Sequence, residues 1–83
     1  MHYFYLFKCK DGTLYAGSTN NVKAREEKHN SGKGSKYVWA HGGGKIIYQE
    51  RFRTHSKALK REAEVKKWPR IKKLSLIKNK TTL

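Results

Sequence analysis

Two phenols, a guanidinium, an imidazole and a carboxylate stand at spacings that secondary structure can gather into one place. Tyr5 and Tyr15 lie on either side of a turn at Asp11-Gly12. Arg25 and His29 follow four residues apart, and Glu62 comes much later. Phenol and imidazole exchange protons, a guanidinium forks onto phosphate, and a carboxylate accepts hydrogen bonds or holds a cation. The five together read as one phosphodiester-cleaving site, with the remaining residues positioning it or gripping nucleic acid.

The elements that must position these groups can be read from periodicity. Residues 2–9 alternate aromatics with other types, both faces apolar, which predicts a covered, central strand. Leu14 to Gly17 is its short partner. A two-residue turn would put Tyr5 and Tyr15 on opposite faces. A three-residue loop Lys10-Asp11-Gly12, with Gly12 left-handed in a G1 bulge, pairs Phe7 with Tyr15 and Tyr5 with Gly17. That register, adopted here, sets both tyrosines on one face.

Ser18 to Asn21 is a run of helix-capping residues before a helix over 22–29. On it Val22, Arg25 and His29 fall within about 60° of one another, an inward stripe too polar for core packing. Gly32 to Gly44 reads as loop, with a short helical turn at Tyr37-Val38-Trp39 and a flexible connector at the three successive glycines, Gly42 to Gly44. Lys45 to Arg53 reads as a third strand at an edge, with Ile46, Tyr48, Glu50 and Phe52 on one side. Thr54 or Ser56 caps a helix running to Trp68. Pro69 opens another, from Arg70 to about Lys78, presenting Ile71, Leu74 and Ile77 to the core. Residues 78–83 are expected to fray. Three strands with flanking helices make an α+β fold in one domain over 1–83.

Glu62 is placed oddly. Taking Ala58 as zero on its helix, Val65 lies near −20°, Glu62 near about +40° and Leu59 near about +100°. The acid therefore points into the apolar face, where an unpaired carboxylate costs several kcal/mol. Lys66, one turn on, offers a simple ion pair; a bound cation is the alternative.

Composition narrows the partner. Lys and Arg number 20 against 6 Asp and Glu, a net charge of +14. From Arg51 onward 12 basic and 2 acidic residues leave +10, a field that attracts polyanions, nucleic acid first. No run resembles a membrane span or a signal peptide, which points to a cytosolic or nucleoid-associated protein. Cys9, the one cysteine, rules out an internal disulfide and a cysteine zinc site, and reads as a small buried thiol. Trp39 and Trp68 are either core residues or base-stacking platforms.

Tyr3-Phe4-Tyr5, Tyr15-Ala16-Gly17, Arg25, His29 and Ala58 with Glu62 one turn on resemble, in that order, the motif set of the GIY-YIG nuclease family. The stretch from Asn30 to Tyr37 is similar to that of its short stand-alone bacterial members. Tyr3 stands where the first triplet has glycine, and Ala16 in the middle of the second; both are backbone or packing positions. The resemblance implies a three-stranded antiparallel sheet flanked by helices and metal-dependent endonuclease activity on DNA, on structured or damaged DNA in repair or recombination. It implies one Mg²⁺ or Mn²⁺ on Glu62, Arg25 on a non-bridging phosphate oxygen, and Tyr15 orienting water or phosphate. It further implies Tyr5 as the general base, its pKa lowered by a positive site, with His29 assisting or acting as the base itself. Ser18, Lys33, Lys36, Arg61, Lys66 and Lys67 are the candidate nucleic-acid contacts. DNA ranks ahead of RNA, and a monomer is the default. A non-catalytic nucleic-acid-binding module of the same fold is the competing reading.

Overall fold

The computed structural model describes residues 1–32 and 36–81. Its elements are β1 (His2–Cys9), β2 (Leu14–Thr19), α1 (Val22–Asn30), α2 (Lys36–Ala40), β3 (Gly44–Phe52), α3 (His55–Lys66) and α4 (Arg70–Thr81). The three strands form one antiparallel sheet in the order β2-β1-β3. The central strand is covered on both faces, Phe4 to Phe7 all being buried. Phe4 and Leu6 pack with Ala16 and Val65, joined by Tyr48, Phe52, Trp68, Leu76 and Ile77. On the other face Tyr5, Phe7 and Cys9 pack with Val38, Tyr15 and Ile46. Cys9 is a free, buried thiol, as expected.

The hairpin takes the three-residue loop. Gly12 has φ +91°, the Gly12 N–H donates to the Cys9 carbonyl at 2.9 Å, and the Cys9 N–H donates to the Thr13 carbonyl at 2.8 Å. Phe7 therefore faces Tyr15 and Tyr5 faces Gly17, so both tyrosines share the α1 side of the sheet. Asp11 holds the loop by accepting from the Thr13 hydroxyl at 2.7 Å and by pairing with His41. His41 first and Thr13 next keep the Asp11 carboxyl down at about 2.

Three sequence expectations are corrected here. A bulge in β3 breaks the strict alternation, because Leu6 pairs with Tyr48 while Phe7 pairs with Ile46, leaving Ile47 as the extra residue. Ile46 and Tyr48 consequently serve opposite cores rather than one face. In α4 the packed side is Leu76 and Ile77. Ile71 is 79% exposed and Leu74 38%. Arg70 donating to the Gly12 carbonyl at 2.6 Å and Lys72 lying 4.3 Å over the Trp68 ring set the rotation of its first turn. The helix continues to Thr81, past the point where fraying was expected to begin; residues 82–83 lie outside the described residues.

The glycine run is the third. Gly43 donates to the Val38 carbonyl at 3.0 Å, and Asn30 grips Gly44 through its side-chain amide, at 2.8 Å to the carbonyl and 2.9 Å from the N–H. Backbone groups satisfied in this way make a fixed junction of α2 to β3, not a flexible connector. Asn30 and Glu26, whose carboxylate accepts from the Ile46 N–H at 2.7 Å, also explain how so polar a helix as α1 is held. Side-chain hydrogen bonds tie it to β3 where an apolar ridge would ordinarily do so.

Candidate active site

Tyr5 leaves the middle of β1 and lies across β2 at Gly17. A Cβ on Gly17 would stand 2.6 Å from Tyr5 Cζ and 3.0 Å from Cε2, inside the ring's contact radius. Only glycine lets the phenol pass. Beyond it, Tyr5 Oη meets His29 Nε2 at 3.0 Å. Asn21 caps α1 by accepting from the Ala24 N–H at 3.0 Å, starting the helix so that His29 arrives over the sheet two turns later. Its imidazole sits in an aromatic cage, with ring centroids 5.1 Å from Phe7, 5.6 Å from Tyr15 and 6.1 Å from Tyr5. Tyr5 is 2% exposed and His29 1%.

That burial decides the protonation states. Burial foremost, then Arg25, pushes the His29 pKa below its usual range, so the ring is neutral near pH 7. Burial also pushes the Tyr5 phenol well above its usual value; Tyr15 and Glu62 add to the rise and Arg25 opposes it. In the protein alone the expectation of a depressed Tyr5 pKa is not met: the desolvation of a nearly enclosed phenol outweighs the Arg25 charge.

A pH effect on stability follows. A histidine held neutral in the fold binds a proton more readily once unfolded. The destabilisation sets in as pH falls below the unfolded pKa of about 6.5 and is absent above it. Thermal melts are expected to show the midpoint dropping between pH 7.5 and 5. In His29→Gln that fall should flatten, from a lower starting midpoint; a slope identical to the parent's would contradict the assignment.

Arg25 reaches the same region from the first turn of α1. It is half-buried, and among the described residues it has no hydrogen-bond or ion-pair partner. It lines a hollow of about 290 Å³ with His2, Ser18, Thr19, Asn20 and His55, and a smaller one of about 190 Å³ with Thr19, Asn20, Asn21, Ala24 and Lys28. No carboxylate lines either, so the guanidinium is left for an anion.

Glu62 approaches from α3. Its side chain is 18% exposed and its Oε2 meets Lys66 Nζ at 2.8 Å. The Lys66 ammonium also lies 5.8 Å over the Tyr15 ring, and Glu62 raises its pKa chiefly through the hydrogen bond. Carboxylate, ammonium and half-buried phenol thus adjoin, and the Glu62 charge is felt at Tyr5. Among the described residues no three His, Cys, Asp or Glu side chains cluster. One carboxylate in such a setting suits Mg²⁺ or Mn²⁺, which keep several waters and complete their shells on substrate phosphate. It does not suit zinc, which takes three or four protein ligands.

The remaining predicted contacts divide. Ser18 lines the larger hollow with Arg25, and Lys66 is paired with Glu62. Arg61 does not serve as a free cation: it forks onto Glu50 at 2.9 and 3.1 Å, bonds Glu64, and lies 5.1 Å over the Trp68 ring. Salt-bridging to two acids spends its donors on joining α3 to β3. Lys36 and Lys67 are exposed, at the start of α2 and just after α3. Lys33 lies outside the described residues. Trp68 has a cation over its ring from Arg61 and another from Lys72, and packs against the core. Trp39 is 60% exposed. The residues not anticipated are His2, Asn20 and His55; His2 and His55 stack at 5.1 Å although 53 positions separate them, and no local pattern announces that meeting.

Comparison with known proteins accords with this arrangement. The model of the GIY-YIG catalytic domain matches residues 1–75. UPF0213 proteins of Staphylococcus aureus, strains Mu50 and N315 among them, are 49% identical over 79 residues, covering 95% of this chain and 96% of theirs. The solution structure of a UPF0213 protein from Bacillus halodurans is 40% identical, with a TM-score of 0.61 over 95% of this chain and 84% of its own. That of a protein from E. faecalis is 38% identical, with a TM-score of 0.63 over 99% and 88%. With the match running from the first strand into the last helix, the chain belongs to the GIY-YIG family of nucleases.

Proposed function

We propose that this protein is a metal-dependent endonuclease that hydrolyses phosphodiester bonds in DNA. The observation that carries the reading is the nearness, around Tyr5, of a half-buried guanidinium with no partner among the described residues, a second phenol, a caged neutral imidazole and a shielded carboxylate. Arg25 holds the phosphate and stabilises the charge that grows on it during attack. Glu62 would hold one Mg²⁺ or Mn²⁺, which supplies charge neutralisation on the phosphate and acidifies a bound water. Tyr15 orients water or phosphate through its hydroxyl. Tyr5 and His29 act as a pair: as the Tyr5 oxygen accepts a proton from the attacking water, its own proton passes to His29 Nε2. A phenol disinclined to ionise is used in this way as a relay, and His29 as the final acceptor.

The basic C-terminal third offers contacts to backbone phosphates of any sequence. Plasmid and flap substrates incubated with Mg²⁺ or with chelator test the reading. Cleavage is expected only with metal, and is expected to fall about 10²- to 10³-fold in Arg25→Ala, the cost of losing one charge-stabilising group. Retention of DNA without cleavage under any divalent ion would instead leave the non-catalytic binding module.

Lys66 supplies a second measurable consequence. Its ammonium occupies the carboxylate a metal would need, and the two cations repel each other. Lys66→Met, which keeps the stem, is expected to tighten Mn²⁺ binding to the free protein by about two- to fivefold, the scale of a half-exposed ion pair. Electron paramagnetic resonance titration of free Mn²⁺ reads this directly; an unchanged or weaker affinity would refute the competition.

A further inference from the structure

The larger hollow beside Arg25 contains a feature that phosphate binding alone does not use. His2 opens β1, held in the sheet opposite Phe52, and its ring stacks on that of His55, the first residue of α3, with centroids 5.1 Å apart and planes 22° from parallel. Neither ring makes a hydrogen bond or ion pair among the described residues, and His55 is exposed. Two imidazoles stacked at a surface add little to folding and repel when protonated, so the pair is better explained by what it presents.

Its surroundings specify the ligand. The hollow, about 290 Å³, is lined by the two imidazoles, the hydroxyls of Ser18 and Thr19, the amide of Asn20 and the Arg25 guanidinium. A stacked pair of aromatic rings and a group of polar donors thus share one hollow. Its volume lies just under the range of sites for compact ligands, about 300–1,000 Å³, which is the scale of one nucleotide and not of a duplex. The neighbouring hollow shares Thr19, Asn20 and Arg25 with it. A strand whose phosphate rests on Arg25 can therefore lie across both, with the adjoining nucleotide entering the larger.

We propose that this hollow takes one unpaired nucleotide next to the phosphate on Arg25, its base stacked on the His2–His55 pair. The preferred substrate then carries a single-stranded or flapped nucleotide at the point of cleavage. A paired base would first have to leave its helix, whereas an unpaired one stacks on an aromatic side chain, histidine included, whatever its sequence. The proposal rests on the reading of Arg25 as the phosphate clamp.

Fluorescence anisotropy in chelator, where nothing is cut, tests it with a labelled duplex and the same duplex bearing a short single-stranded flap. The flap is expected to bind more tightly by about 5- to 150-fold, the range of one base stack. His55→Ala should erase that preference while leaving duplex affinity in place, and His55→Phe should keep it, because the stack and not the charge is responsible. Equal affinity of the parent for both DNAs overturns the proposal. So does a His55→Phe variant that behaves like His55→Ala. Arg25→Ala separates the two levels: it should weaken both DNAs alike, and if it weakens neither, the clamp itself fails.

Discussion

Gly17→Ala is expected to lower the thermal midpoint by about 5–20 °C and to cut nuclease activity by about 10²-fold or more in the protein that remains folded. The added methyl would stand 2.6 Å from Tyr5 Cζ, and Tyr5 cannot retreat, because it is buried and bonded to His29 at 3.0 Å. Overpacking of this kind costs about 1–3 kcal/mol, and in a domain of this size each kcal/mol moves the midpoint by about 4–8 °C. Activity falls separately, because displacing a reacting group by about 1 Å is worth roughly a hundredfold. Calorimetry and a cleavage assay on the same preparation read the two effects. In Gly17→Ala with Tyr5→Leu the shorter side chain should restore part of the midpoint and none of the activity. If Gly17→Ala alone melts and cuts like the parent, the path drawn for the Tyr5 ring is wrong.

Glu62→Gln separates function from stability in the other direction. It is isosteric and removes the charge proposed to hold the metal, so Mn²⁺ binding should vanish and cleavage fall by at least about 10²-fold. Stability should barely change, because the one ion pair lost is to Lys66, itself 49% exposed, and such pairs are worth about 0–1 kcal/mol. Glu50→Gln is the contrasting variant. Glu50 takes a fork from Arg61 and the hydroxyl of Tyr48, and has no part in the proposed chemistry. It should lower the midpoint by more than Glu62→Gln does and leave metal binding unchanged. The prediction is lost if Glu62→Gln binds Mn²⁺ like the parent, since the carboxylate would then be no more than a partner for Lys66.

The two acids show why a carboxylate on an apolar helix face is ambiguous when seen in sequence alone. Helical angles place Glu62 beside Ala58 and Val65, and both of those residues are buried in the structure. The same angles offer Lys66 as its partner, and the ion pair is present. What they omit is the Tyr15 ring beneath that ammonium, which arrives from a strand some fifty residues earlier. Arg61 shows the same dependence on a distant group. Its charge and position on α3 suggest a nucleic-acid contact, yet β3 brings Glu50 across to engage it.

Local chemistry narrowed the hairpin to two registers and the caps to short runs that include Asn21 and Thr54, and it marked β1 as the central strand; the structure takes the three-residue loop and those two caps. From the register followed the shared face of Tyr5 and Tyr15, and from the cap the placing of Arg25 and His29. The bulge at Ile47, the rotation of α4, the enclosure of Tyr5 and the meeting of His2 with His55 were decided only when the elements packed. Periodicity records which way a side chain leaves its own backbone. It carries no record of which distant group, or how little water, that side chain will meet, and desolvation by those distant groups is what raises the Tyr5 pKa and holds His29 neutral.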